Sequence, residues 1–181
     1  SLKGSEEAFA YPPKLIPEIF HWDNYEKAMT ALPFGKAYLN SLKLAVINVT
    51  GQVLTSAMAG YALGKLRFRG SGVVFGGFIA VMMVPYTVIS IPLFLIFSQL
   101  NLIDTHLSII LMTVAYMPMG VFLCRQFIMA LPDELMEAGI IDGANYGSMF
   151  FRIVLPLVKP ALASLGIFSF MWNWNSFYTP L

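Results

Sequence analysis

The sequence predicts an all-α, polytopic membrane protein, and three observations carry that expectation. Hydrophobic residues make up 57% of the chain and charged residues only 12%, whereas a water-soluble domain carries about 25% charged residues. The charges are also bunched, since Leu44–Gly64, Gly70–Ile103, Thr105–Cys124 and Pro160–Leu181 contain no Asp, Glu, Lys or Arg. About 20 apolar residues in a helix cross a hydrocarbon core of about 30 Å, so each stretch is long enough for one span. A helical bundle in water would instead need charged outer faces, and these segments have none.

In order along the chain, residues Ser1–Lys36 are mixed and polar, punctuated by Pro12, Pro13, Pro17 and Pro33. They read as an N-terminal segment outside the spans, with a short amphipathic helix within Ile16–Leu32 capped by Asp23 or Asn24. The remainder, residues 37–181, reads as one transmembrane domain. Its first span is expected over Tyr38–Leu66, closed by Lys65, Arg67 and Arg69. The second covers Ser71–Gln99, the third Asp104–Met129, and a fourth begins near Leu157. Pro85 and Pro92 each remove a helix hydrogen bond and kink or break the second span; a bent helix lining a watery path and a packing kink are both compatible with that. Ser56, Gly60 and Gly64 follow one another at four-residue spacing, a stripe of small residues that lets another helix approach closely, and Gly72 and Gly76 repeat it.

Lys and Arg beside spans mark the cytoplasmic side. The link after the first span holds Lys65, Arg67 and Arg69; Leu100–His106 holds no Lys or Arg; Arg125–Lys159 holds three basic residues. Spans one and three therefore end inside and the N-terminal segment lies outside, although its own Lys3, Lys14, Lys27 and Lys36 follow the rule less cleanly. An outside tail of this kind implies an earlier span, so the chain is expected to be a fragment.

A search for chemistry returns little. Gly60-Tyr-Ala-Leu-Gly64-Lys65-Leu66 is one residue short of a phosphate-binding loop and lacks the Ser or Thr that would hold magnesium. His21 and His106 stand in no metal-ligand spacing, and the lone Cys124 excludes an internal disulfide, so neither a metal nor a cofactor is expected. A net charge of +1 argues against a nucleic-acid partner. Asn48-Val-Thr50 matches a glycosylation acceptor but lies within a span. No span holds a pair of carboxylates for a proton relay.

The informative segment is Leu131–Pro160, the longest link between spans on the inner side. Pro132 can open a helix with Asp133 and Glu134 in its first turn, where the dipole favours anions. Ala138 and Gly139 make a smooth patch, and Gly143 and Gly147 permit a sharp turn. A second short helix around Ser148–Val154 would present Met149, Phe150, Phe151 and Ile153, before Pro156 and Pro160 stiffen the return to the membrane. An exposed knob of small and apolar residues is what a docking surface requires.

Glu137-Ala138-Gly139, then Gly143, then nine residues to Ile153-Val-Leu155-Pro156 resembles the EAA loop of ABC importer permeases, with Gly139 in place of a second Ala. The wider string Pro132–Ala138, with Ile141-Asp142-Gly143-Ala144, looks like the carbohydrate-importer branch. So do Met83-Val-Pro85, Ile91-Pro92-Leu-Phe94, Leu102–Thr105, Cys124–Phe127 and Trp174-Asn175-Ser-Phe177. The chain is similar from about Tyr11 to Leu181 to the smaller, six-span permease of maltose-type systems. The resemblance implies a type I ABC importer transmembrane fold, with one span before Ser1 and one after Leu181. It implies a bacterial inner-membrane, multi-pass location and transport of a sugar or related polyol. It also implies four partners: an ATP-hydrolysing subunit pair, a second permease, an extracytoplasmic solute-binding protein and membrane lipid. The loop at 131–160 would dock the ATPase through Glu137, Ala138, Gly139, Asp142, Gly143, Ile153, Leu155 and Pro156, and catalytic residues for ATP would lie in that other chain.

For substrate, Trp172 and Asn175 share one face of the last span and Trp174 and Tyr178 another. Aromatic and amide groups suit a sugar, while an interfacial aromatic belt accounts for the same residues. Lys43 and Arg125 lie towards span ends, which tilts the choice to neutral sugars over phosphorylated polyols. Two rivals stand beside the importer. An ion-coupled transporter or channel would not require the EAA spacing, and an intramembrane enzyme would need His, Asp or Ser–Lys pairs within spans.

Overall fold

The computed structural model describes residues 2–4, 7, 9–12, 15–17, 19–31, 33–66 and 68–176. Lys14, Arg67, Phe177 and Tyr178, which enter the sequence reading, lie outside them. The chain forms two compact units, Ser1–Lys43 and Leu44–Leu181, and the regular structure of the described residues is helical.

In the first unit, helix α1 runs over Asp23–Ala31. It lies within Ile16–Leu32 and begins at Asp23, one of the two residues expected at its start, while Ile16 and Pro17 ahead of it are not helical. Asp23 pairs with Lys27 one turn on, and the hydrogen bond from Lys27 holds the Asp23 carboxyl below its ordinary pKa. His21 N–H donates to Leu2 O at 3.0 Å and Asn24 Nδ2 to Lys3 O at 3.1 Å, which pins the preceding strand of chain to the helix.

Helix α2, Phe34–Lys65, is 32 residues long and is the one described helix that is long and apolar enough to cross a membrane by itself. The later spans are broken. Helix α3, Ser71–Met82, meets α4, Tyr86–Gln99, at 103°; α5, His106–Ala115, meets α6, Pro118–Met129, at 40°. Up to four crossings result if each bent pair counts as one. The break in the second span falls at Pro85, whose extended backbone (φ −60°, ψ 135°) precedes α4, whereas Pro92 sits inside α4. Only one of the two prolines therefore stands at a break. Pro118, at the first turn of α6, occupies the position where a missing N–H costs no helix bond.

The small-residue stripe on α2 packs against α6. A Cβ on Gly60 would stand 2.7 Å from Cys124 Cβ and 2.8 Å from Arg125 N, and one on Gly64 would touch Met129 and Ile128. Such closeness is available only without side chains. A Cβ on Gly72 or Gly76, by contrast, would meet nothing within 4 Å among the described residues. Arg125 fastens the α2–α3–α6 group, its Nε donating to Leu63 O at 3.1 Å and its guanidinium lying 4.0 Å over the Phe75 ring.

Helix α7 is Glu134–Ile141 and α8 is Tyr146–Met149. A π-helical turn, Phe150–Val154, leads into the short α9, Leu155–Leu157, and then α10, Lys159–Trp174. The run Tyr146–Leu157 turns into α10 at 79°. The core gathers where α2, α6, the π turn and α10 meet: Ala57, Tyr61, Cys124, Ile128, Phe150, Val154, Val158 and Leu165 are buried together. Outside it, large apolar side chains stand exposed, Val73 at 81%, Ile91 at 69% and Phe168 at 67%. Such a surface is stable against lipid or another apolar partner and unstable in water.

Candidate docking site

The segment from Leu131 to Pro160 folds as a helix–turn–helix, and its first turn is set by one glycine. Gly143 has φ +75°, a left-handed conformation that costs other residues about 1–2 kcal/mol. Asp142 ends α7. Gly143 N–H then donates to Ile140 O at 3.0 Å and Ala144 N–H to Gly139 O at 2.9 Å. This pair of bonds is a Schellman cap, which satisfies the last carbonyls of the helix. Asn145 follows as the N-cap of α8, its side chain accepting from Ser148 N–H at 2.8 Å. Gly147, expected at the turn, lies within α8 instead. The turn needs one left-handed residue, and Asn145 already supplies the next helix start.

Glu137, Ala138, Asp142 and Gly143 are exposed, as are Ile140 at 57% and Ile141 at 85%. Gly139 is buried, with a Cβ there meeting Met149 Sδ at 3.0 Å and Ile153 Cδ1 at 3.3 Å. Its small size thus serves contact between the two arms of the knob, and the exposed side of α7 is carried by its neighbours. Met149 and Phe150, expected to face outward, are 2% and 3% exposed. They turn inward because the π turn feeds them into the core, where the Phe150 and Tyr61 rings stand 5.4 Å apart. Phe151 remains exposed, Ile153 and Leu155 are half-buried, and Pro156 is exposed in α9.

Asp133 precedes α7 without capping it. Its carboxylate pairs with Lys65 Nζ at 2.5 Å, and the same ammonium donates to Leu131 O at 2.6 Å. Beside this pair lies a cleft of about 700 Å³ lined by Lys65, Arg69, Asp133, Met136, Glu137 and Ile140. Sequence reading placed Lys65 and Asp133 on the same side of the membrane but gave no reason to join them, since they are 68 positions apart.

At the far end of α10, Trp172 is 77% exposed. Asn175 follows the last helical residue, its Nδ2 donating to Met171 O at 2.8 Å, so that amide is engaged locally. Trp174 stacks on Phe170 with centroids 5.4 Å apart; the expected Trp174–Tyr178 face extends outside the described residues. A polar cluster that sequence reading missed lies one turn away. Asn48 Nδ2 donates to Asn173 Oδ1 at 2.9 Å, Asn173 Nδ2 to Gln52 Oε1 at 3.3 Å, and Gln52 Nε2 to Thr113 O at 3.0 Å. Asn48 and Gln52 are 1% and 3% exposed. Their four-residue spacing inside an uncharged span was the available signal, because buried amides in a membrane seek interhelical partners.

Comparison with known proteins adds three findings. Residues 53–181 match the family model for the binding-protein-dependent transport system inner membrane component. The chain is 34% identical over 163 residues to the osmoprotective compounds uptake permease protein GgtD of Synechocystis, covering 90% of this chain and 55% of that one. It is also 34% identical over 183 residues to the sn-glycerol-3-phosphate transport system permease protein UgpE of Pectobacterium atrosepticum, covering 98% and 65%. Among solved structures it superposes with a TM-score of 0.79 and 27% identity on a chain of a bacterial ABC transporter that imports the acidic polysaccharide alginate, covering 89% of this chain and 56% of that one. The chain thus spans between about half and two thirds of the length of these relatives.

Proposed function

Because the chain belongs to the family of binding-protein-dependent transport system inner membrane components, we propose that it forms the permease core of an ATP-driven importer. The cargo is a sugar or related polyol delivered by an extracytoplasmic binding protein, and the location is a bacterial inner membrane crossed several times. The family is one of transport components, not of catalysts; ATP is hydrolysed by separate nucleotide-binding subunits, and a second permease subunit completes the pathway. Residues 1–36 form the extracytoplasmic segment and 37–181 the permease domain, with the loop at 131–160 on the cytoplasmic side.

The single observation carrying this reading is the capped helix–turn–helix built on Gly143, with Ile140 and Ile141 exposed at its tip. An apolar tip flanked by the exposed carboxylates of Glu137 and Asp142 suits a cleft with apolar walls and a basic rim. Ala138 and Gly143 allow close approach; Gly139, Ile153 and Leu155 hold the two arms together, and Pro156 stiffens the way back. ATP-driven closure of the nucleotide-binding subunits would move this knob, and the knob would move the spans. For substrate contact, Trp172 is the better placed of the two tentative residues, since Asn175 bonds to its own helix. A relative named for sn-glycerol 3-phosphate keeps charged polyols within the substrate class.

The test uses the full-length subunit reconstituted with its ATPase, partner permease and binding protein. Gly143→Pro, which cannot reach φ +75°, and Glu137→Lys, which reverses a docking charge, are expected to abolish uptake and binding-protein-stimulated ATP hydrolysis while leaving insertion intact. Full stimulation and uptake in both variants would rule out the docking assignment.

A further inference from the structure

We infer that the Lys65–Asp133 pair is a tie rod that transmits movement of the docking helix to the membrane spans, so that both are positioning residues for coupling; this rests on the importer reading above. The ammonium of Lys65 joins three elements at once. It stands at the last residue of α2, donates to the Leu131 carbonyl just after α6, and meets the Asp133 carboxylate at the head of α7. The Lys65 side chain is only 6% exposed, against 66% for Asp133. A lysine so little exposed relies on the Asp133 carboxylate and the Leu131 carbonyl for what water would otherwise supply.

The use made of Asp133 is the telling detail. An Asp at a helix N-cap ordinarily accepts from the second or third backbone N–H, which supports that helix locally. Here it makes no such bond and keeps a helical backbone, φ −71° and ψ −23°; its carboxylate turns to α2 instead. Local stability is given up for a connection across 68 residues. The covalent path from α7 back to α6 is short but not helical, and the path forward to α10 passes a glycine turn and a π turn. Apolar contacts along these paths slide, whereas a charge-assisted hydrogen bond is directional and resists both pull and push. Arg125, bonded to Leu63 O, fixes α2 to α6 just above, so force arriving at Lys65 reaches two spans together.

The experiment compares Asp133→Ser, Lys65→Met and the exchange Lys65→Glu with Asp133→Lys in the full complex in phospholipid vesicles. ATP hydrolysis is measured with and without the loaded binding protein, and co-purification of the ATPase is scored. Serine can cap a helix, so a purely local role predicts normal behaviour for Asp133→Ser. The tie predicts retained co-purification, unaltered basal hydrolysis and stimulation reduced roughly tenfold in both single variants, a size typical of coupling residues. It also predicts partial recovery in the exchange variant, which restores the ion pair between positions 65 and 133 but not the donation to Leu131 O. Normal stimulation in Asp133→Ser, or equal loss in the exchange variant, overturns the tie. If Asp133→Lys prevents assembly, Lys65→Met against Asp133→Ser and their double variant decides, since two ends of one rod give non-additive losses and independent residues give additive ones. Failure of the unaltered chain to co-purify with any ATPase would instead refute the importer reading.

Discussion

Gly60→Ala tests the packing of the bundle at its tightest point. The added methyl would meet Arg125 N at 2.8 Å and Cys124 Cβ at 2.7 Å, against an ordinary limit of 3.4 Å. The obstacle at Arg125 is backbone, which cannot rotate away, so α2 and α6 must part by about 0.6 Å there. Overpacking of this kind costs about 1–3 kcal/mol, offset by about 1 kcal/mol of improved helix propensity. Gly72→Ala is the matched control, because it gains the same propensity and meets nothing within 4 Å. Unfolding of the purified full-length subunit in detergent, followed by temperature, should place Gly60→Ala about 1–3 kcal/mol below Gly72→Ala. The separation should also weaken the bond from Arg125 to Leu63 O. Equal shifts from the two substitutions would refute the close-contact account, whatever their common size.

Two further outcomes follow from the structure. Asn173→Ala strands Asn48 Nδ2 and Gln52 Oε1 in the bundle; with membrane hydrogen bonds at about 0.6 and at most about 1.7 kcal/mol each, the loss should be about 1–3 kcal/mol. An additive Asn48→Ala/Asn173→Ala double variant in the same unfolding assay would count against a shared network. For topology, a cysteine replacing Asp142 should react with an impermeant maleimide only after the cytoplasmic face is opened, and one replacing Leu102 should react in intact cells; the reverse pattern would invert the whole arrangement.

The sequence was legible where a residue type admits few conformations. Gly143 implied a sharp turn, and a left-handed residue with φ +75° is found there. Ser56, Gly60 and Gly64 implied a close helix neighbour, and α6 fills that place. At Gly72 and Gly76 an added Cβ would meet nothing within 4 Å among the described residues; a small-residue pattern does not say whether its neighbour belongs to the same chain. Pro85 and Pro92 look alike in sequence, yet only Pro85 stands at a break between helices. Met149 and Phe150 resembled a sticky outer surface because the burial of Phe150 is decided by Tyr61, far away in the chain. The Asn48–Asn173 bond spans 125 positions and the Lys65–Asp133 pair 68, and no local pattern encodes either.

The break at Pro85 has a consequence for how the protein is made. Helix α2 satisfies its own backbone over 32 residues and can enter a bilayer as an independent piece. The α3–α4 pair, turned through 103°, leaves carbonyls at the end of α3 and amides at the start of α4 without helical partners. Each such group costs several kcal/mol in hydrocarbon. The broken pair is therefore expected to settle only beside the elements it packs on, α6 among them, where Phe75 stacks on Phe122.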